Sequence, residues 1–177
     1  MNLICFGDSN TYGYDPRSFL GDRYPAESRW VDLMAKETGW DMVNRGMNGR
    51  EIPGHSIPLP DGLDLLIVML GTNDLLQGAD AEAAAARMEA FLRCLPIGRD
   101  KILLIAPPPM KPGAWVNSSR LIDESRKLGK EYRLIAQRLG LRFADGAEWN
   151  IELSYDGVHF TEKGHRAFAE ALLKILR

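Results

Sequence analysis

A serine near the start of the chain and an aspartate–histidine pair near its end could together perform nucleophilic catalysis. Ser9 directly follows a short apolar run, and His159 stands three residues after Asp156. A serine hydroxyl becomes a useful nucleophile when a histidine held by a carboxylate removes its proton. A tight turn at Gly157 would let Asp156 fold back onto one ring nitrogen and leave the other facing outward. The pattern predicts Ser9 as nucleophile, His159 as base and Asp156 as its support.

Each of these residues also has an ordinary structural interpretation. A single serine more often caps a helix or closes a turn, and Asp and His in a loop are commonly surface residues. Metal binding by Asp156 and His159 is disfavoured because no further histidine or cysteine cluster stands near them in sequence. The catalytic interpretation therefore depends on whether the fold brings the three side chains together.

Acyl transfer also needs hydrogen-bond donors directed at the oxyanion of a tetrahedral intermediate. Three candidates follow predicted strand ends: the backbone N–H of Ser9, the backbone N–H of Gly46 and the side-chain amide of Asn73. Taken alone, Gly46 and Asn73 are typical turn residues. Their shared position at the predicted edge that carries Ser9 is what favours a role as donors.

The elements that must position these residues can be predicted from hydrophobic patterning. Buried strands are predicted at 3–6, 65–70 and 102–106, and short strands at 42–44 and, on an edge, at 141–144. Helices with 3.6-residue periodicity alternate with them, with Asp80, Ser118 or Ser119, and Thr161 as caps and Ser28 as a further candidate. Strands that alternate with helices predict a parallel sheet covered on both faces, in which ligands bind at the carboxyl edge. Residues 12–29 and 50–62 are predicted to be loops because they are interrupted by glycine and proline. The polar residues after the first and third strands, at 7–11 and 71–74, are also predicted to be loops.

Composition limits the classes of partner. A chain of 177 residues fits a single domain, 1–177, and a net charge of −2 without a basic run disfavours nucleic acid. The chain start shows no positive segment followed by a long apolar run, and no stretch is long and apolar enough to span a bilayer, so we expect a cytoplasmic protein without membrane association. We expect Cys5 and Cys94 to be core residues and His165 to lie on a solvated helix face, and His55 has no assigned role.

The four motifs occur in an order that resembles a known family. Gly-Asp-Ser at 7–9, Gly46, Gly-Thr-Asn-Asp at 71–74 and Asp156-x-x-His159 resemble the sequence blocks of the SGNH, or GDSL-type, hydrolases over nearly the whole chain. Residues 12–16, 23–25, 29–30, 48–50 and the triple proline at 107–109 are similar to the arylesterase and acyltransferase branch of that family.

The resemblance implies a three-layer α/β/α, flavodoxin-like fold with a five-stranded parallel sheet of order 2-1-3-4-5. It implies a carboxylic ester hydrolase with the triad Ser9, Asp156 and His159 and the oxyanion hole Ser9, Gly46 and Asn73. Asn10 stands where the family name has leucine, and no Gly-x-Ser-x-Gly motif is present. The segment 50–62 looks shorter than in acyltransferase relatives, which favours hydrolysis over acyl transfer.

Two classes of function remain open at this stage. The first is a cofactor-free serine esterase that acts on small, short-acyl, acetyl-type esters, with a carbohydrate O-acetylesterase or an acyltransferase of the same fold as alternatives. Its candidate substrate contacts are Asn10, Tyr12, Trp115 and Val158, and a homo-oligomer is expected. The second is a flavodoxin-like mononucleotide-binding module, although the loop after the first strand has neither Gly-x-Gly-x-x-Gly nor a P-loop lysine.

Overall fold

The computed structural model describes residues 1–18 and 20–177 and contains a five-stranded parallel sheet. Phe19, within the predicted loop 12–29, lies outside the described residues. The strand order is β2-β1-β3-β4-β5, which confirms the predicted topology. The strands are β1 (Asn2–Gly7), β2 (Asp41–Gly46), β3 (Leu65–Met69), β4 (Ile102–Ala106) and β5 (Arg142–Asp145).

Six α-helices are assigned within the described residues: α1 (Ser9–Tyr12), α2 (Trp30–Thr38), α3 (Thr72–Leu76), α4 (Ala81–Cys94), α5 (Ser119–Leu139) and α6 (Glu162–Leu176). Caps define most of the long helices. The side chains of Asp80, Ser118 and Thr161 accept hydrogen bonds from backbone N–H groups in the first turns of α4, α5 and α6, as the sequence predicted. Ser28 does not cap α2, because its hydroxyl donates to Glu162 instead.

The core has two layers, one on each face of the sheet. Helices α4 and α5 cover one face with side chains such as Phe91 and Tyr132, and α2 and α6 cover the other with Trp30 and Phe168. The central strands β3 and β4 are buried throughout, which explains their continuous apolar sequence. None of the helices that the structure describes is both long enough and apolar enough to cross a membrane.

The burial of two side chains, Cys94 and His165, differs from the prediction made from the sequence. Cys5 is buried in β1, but Cys94 is exposed because it lies with Arg93 on the solvent side at the end of α4, while Leu92 and Leu95 are buried. His165 is wholly buried on α6, between the rings of Tyr24 and Phe160, and is not on a solvated face. The loop that carries Tyr24 covers this part of α6, and helical periodicity alone does not reveal such a cover.

Candidate active site

The first predicted site residue lies where β1 ends at the carboxyl edge of the sheet. Asp8 follows β1, and its side chain accepts a hydrogen bond from the N–H of Asn10 at 2.9 Å, which caps the short helix α1. Ser9 is the first residue of α1 and is almost buried. The sequence predicted a loop here, whereas the structure has a single helical turn that ends at Gly13.

His159 and Asp156 lie in a tight turn between the segment after β5 and α6. One carboxylate oxygen of Asp156 accepts the backbone N–H groups of Val158 and His159, each at 2.9 Å. Gly157 adopts a φ of 81° and packs directly against the backbone of Lys111, so it has both the conformation and the close approach that favour glycine. The Pro-rich segment after β4 therefore braces the turn that carries the histidine.

The three side chains form a continuous chain of hydrogen bonds. His159 Nδ1 lies 2.7 Å from Asp156 Oδ2, and His159 Nε2 lies 2.9 Å from Ser9 Oγ. The carboxylate favours the tautomer with the proton on Nδ1, so that Nε2 can accept the serine proton. Burial raises the pKa of Asp156, but its hydrogen bonds with His159 and with backbone N–H groups outweigh this effect and lower the pKa below its ordinary value. The carboxylate is thus held in its charged form.

A pocket of about 540 Å³ opens at Ser9 and His159. Two aromatic rings stand beside the imidazole: Tyr14 at 4.6 Å and Trp115 at 5.0 Å between ring centroids. The remaining lining residues are Asn48, Gly49, Asn73, Leu76 and Gln77.

The pocket contains two of the three predicted oxyanion donors and a different glycine. The side-chain amide of Asn73 donates one hydrogen bond to the carbonyl of Arg50 at 3.0 Å, and its second N–H is available to a ligand. Gly46 lies outside the pocket, and its N–H donates to Asn44 Oδ1 at 2.8 Å. Gly49 lines the pocket instead, with a φ of 71°, and within the described part of the chain no hydrogen bond uses its N–H.

The prediction of Gly46 as an oxyanion donor is therefore corrected, because its N–H is already bonded to Asn44 and the residue lies outside the pocket. Gly46 is required for packing, because a Cβ at this position would stand 2.0 Å from the backbone nitrogen of Tyr12. The sequence signal for Gly49 is the Asn-Gly dipeptide at 48–49, which is typical of a turn with a left-handed residue.

Of the four predicted substrate contacts, only Trp115 reaches the pocket. The amide of Asn10 is buried and bonded to the backbone of Val158 and Phe160, and Val158 is itself buried in the core. The ring of Tyr12 is covered by the guanidinium of Arg23 at 4.4 Å. Tyr14, two residues after Tyr12, is the tyrosine that lines the pocket.

Comparison with known proteins gives a family and a set of similar folds. The GDSL-like lipase/acylhydrolase family matches residues 5–167. A protein from Agrobacterium tumefaciens strain C58, described as a candidate arylesterase, is 30% identical, with a TM-score of 0.84 over 100% of this chain and 99% of that chain. A carbohydrate acetylesterase family member from Sinorhizobium meliloti is 27% identical, with a TM-score of 0.81 over 100% and 98%.

The fold also resembles that of an aryl esterase from M. smegmatis, at 23% identity and a TM-score of 0.84 over 99% of this chain and 98% of that chain. The comparison with curated protein sequences gave no match. The sheet order and the site at its carboxyl edge define the SGNH hydrolase fold. The chain belongs to the GDSL-like lipase/acylhydrolase family and is a hydrolase of the esterase class.

Proposed function

We propose that the protein hydrolyses short-acyl, acetyl-type carboxylic esters through an acyl-enzyme intermediate on Ser9. The observation that carries this proposal is the hydrogen-bonded chain from Asp156 through His159 to Ser9 Oγ, which ends in an open pocket. Ser9 Oγ attacks the ester carbonyl while His159 Nε2 takes its proton. His159 then gives the proton to the leaving alcohol. In the second half of the reaction His159 takes a proton from water, the water oxygen attacks the acyl group, and the proton returns to Ser9 Oγ as the carboxylic acid leaves.

Three donors are suited to stabilise the oxyanion in this mechanism. They are the backbone N–H of Ser9, the backbone N–H of Gly49 and the side-chain amide of Asn73, all of which line the same pocket. Neutral donors that are fixed before the reaction stabilise the developing charge without reorganisation. Asn73→Ala is expected to lower kcat by about 100-fold while KM changes little.

The direct test is the hydrolysis of p-nitrophenyl acetate by the wild type, Ser9→Ala and His159→Ala. We expect each variant to lose at least about 1000-fold in kcat, and the double variant to lose little more, because the two side chains act as a unit. Ser56→Ala and His55→Ala are matched controls on the loop 50–62, where both side chains are exposed. Unchanged turnover in Ser9→Ala would refute the proposal.

A carbohydrate O-acetylesterase is the second candidate, and the lining of the pocket favours it. Trp115 is 51% exposed and presents a ring beside His159, and Asn48 and Gln77 add amide groups that can bond sugar hydroxyls. The similarity to a carbohydrate acetylesterase family member supports the same class. A panel of acetate, butyrate and octanoate esters together with acetylated sugars would rank these substrates, and an added alcohol acceptor would measure acyl transfer.

The mononucleotide-binding alternative is not supported. The carboxylate of Asp8 already accepts a hydrogen bond from the N–H of Asn10 in the first turn of α1. A phosphate bound there would be repelled by this carboxylate. A homo-oligomer stays a prediction, which light scattering would test.

A further inference from the structure

Arg50 is a half-buried arginine whose contacts are all made at the carboxyl edge of the sheet. Its guanidinium donates to the carbonyl of Gly7, the last residue of β1, at 3.0 Å and also to the carbonyl of Arg45 in β2. The same group stacks over the ring of Phe6 at 4.3 Å. One planar side chain thus joins the ends of the two strands that precede Ser9 and Gly49.

The backbone around Arg50 is joined to the third strand end. The carbonyl of Arg50 accepts the amide of Asn73 at 3.0 Å, and the N–H of Ile52 donates to Asp74 at 3.1 Å. The N–H of Arg50 closes the turn that contains Gly49 by donating to Met47 at 3.2 Å. A shift of Arg50 would therefore move Gly49 and Asn73 together.

We propose that Arg50 is a positioning residue that fixes the three oxyanion donors relative to one another. Its side chain bonds the last residue of β1, the strand that precedes Ser9. Its backbone directly follows Gly49, and its carbonyl accepts the side-chain amide of Asn73 and thereby orients it. This inference rests on the proposed function, because it assigns Arg50 to the stabilisation of the transition state. Lysine does not replace it, since an ammonium lacks the planar guanidinium that stacks on the ring of Phe6 while its Nη1 bonds both carbonyls.

The kinetic test compares Arg50→Lys with Arg99→Lys. Arg99 is a matched control because it is also half-buried and also donates to two backbone carbonyls, those of Leu92 and Arg93, beside the amino end of β4. We expect Arg50→Lys to lower kcat for p-nitrophenyl acetate by up to about 100-fold with little change in KM, because small displacements of donors are costly. Arg99→Lys should leave both constants unchanged. Equal kcat in the wild type and Arg50→Lys would overturn the inference.

A double-mutant cycle separates positioning from general stabilisation. In an Asn73→Ala background the oxyanion donor that Arg50 orients is absent, so Arg50→Lys should lower kcat by a factor at least about threefold smaller than in the wild type. Fully independent effects would show that Arg50 does not act through Asn73. Arg50→Gln serves as a second variant if the lysine variant does not fold.

An NMR measurement reads the donors without turnover. The side-chain amide of Asn73 and the backbone N–H of Gly49 should change in chemical shift in Arg50→Lys and stay unchanged in Arg99→Lys. If the wild type hydrolysed no ester, the proposed function would fail, and the NMR result would still decide whether Arg50 orients these groups. Unchanged Asn73 and Gly49 signals in Arg50→Lys would refute the positioning role.

Discussion

Asn10 connects the helix that begins at Ser9 to the segment that carries His159. Its side-chain amide donates to the carbonyl of Val158 at 3.1 Å, and its side-chain oxygen accepts the N–H of Phe160 at 2.9 Å. These two residues flank His159 on either side. Asn10 thus fixes the imidazole relative to the neighbouring Ser9 through the backbone, a role that a leucine at this position cannot perform.

We predict that Asn10→Leu lowers kcat by about 10- to 100-fold, with a smaller effect on KM. The substitution leaves a buried carbonyl and a buried N–H without partners, which also lowers the free energy of unfolding by about 2 kcal/mol. Steady-state kinetics and urea unfolding would measure the two effects.

Leu92→Ala separates the loss of catalysis from the loss of stability. It opens a cavity under α4 and should destabilise the protein by about 2–5 kcal/mol without a comparable loss of kcat. A loss of kcat in Asn10→Leu no larger than in Leu92→Ala would contradict the role of Asn10.

At the scale of elements, two glycines at the end of β2 have different physical requirements. Gly46 is needed because β2 and α1 meet at this point, where a Cβ would stand 2.0 Å from the nitrogen of Tyr12. Gly49 has no neighbour within 4 Å of such a Cβ, and its requirement is the left-handed backbone. The first glycine sets the distance between elements, and the second sets the shape of a loop.

Gly46→Ala should therefore destabilise the protein more than Gly49→Ala. We expect a loss of about 3 kcal/mol for Gly46→Ala, because an overpacked contact moves α1, and about 1–2 kcal/mol for Gly49→Ala from backbone strain alone. Gly46→Ala should also displace Ser9 and thereby reduce kcat, whereas a loss of kcat in Gly49→Ala would come from its own N–H, which lines the pocket. Urea unfolding and kinetics on both variants would test this order, and the reverse order would contradict it.

The capping residue of α1 gives a second prediction for this element. Burial raises the pKa of Asp8 to about 6, although the N–H of Asn10, the imidazole of His159 and the guanidinium of Arg50 oppose the shift. Between pH 4 and pH 6 the unfolded chain loses this proton first, so the contribution of Asp8 to stability falls as the pH rises. Asp8→Asn cannot ionise and should gain up to about 3 kcal/mol relative to the wild type over this interval, as measured by urea unfolding.

The sequence predicted the long elements well and the short ones poorly. Strands β3 and β4 and the capped helices α4 to α6 have strong hydrophobic periods, and the structure confirms them. The short helices α1 and α3 were predicted as loops, because four or five residues carry no periodicity and such helices depend on their surroundings. The choice between Gly46 and Gly49 likewise depends on a contact between β2 and α1, which lies outside local sequence.

At the scale of the whole molecule, the same limit explains the misjudged burial of His165. The alternation of strands and helices predicts two layers of core, but it does not tell which helix faces receive a further cover from a loop. His165 is buried because the loop carrying Tyr24 covers α6, whereas Cys94 stays exposed beside Arg93 at the end of α4. A contact between distant segments decides the burial of His165.

His165 makes the free energy of unfolding depend on pH, because its imidazole is buried. Burial, together with the guanidinium of Arg29 and the imidazole of His159, lowers the pKa of His165 to about 3. As the pH falls from about 6.5 to 3, His165 binds a proton in the unfolded chain but stays neutral in the folded protein. The folded state therefore loses several kcal/mol of stability over this interval, in the direction opposite to the contribution of Asp8.

Between pH 4 and pH 6 the two groups contribute slopes of opposite sign, each about 1.4 kcal/mol per pH unit. In the wild type these slopes nearly cancel. His165→Phe, which keeps a ring between Tyr24 and Phe160, should unmask the Asp8 slope and become less stable as the pH rises, whereas Asp8→Asn should become more stable. Urea unfolding followed by tryptophan fluorescence at several pH values would measure the difference between the variants, in which the other titrating groups cancel. Parallel curves for the two variants would show that neither group titrates as its burial requires.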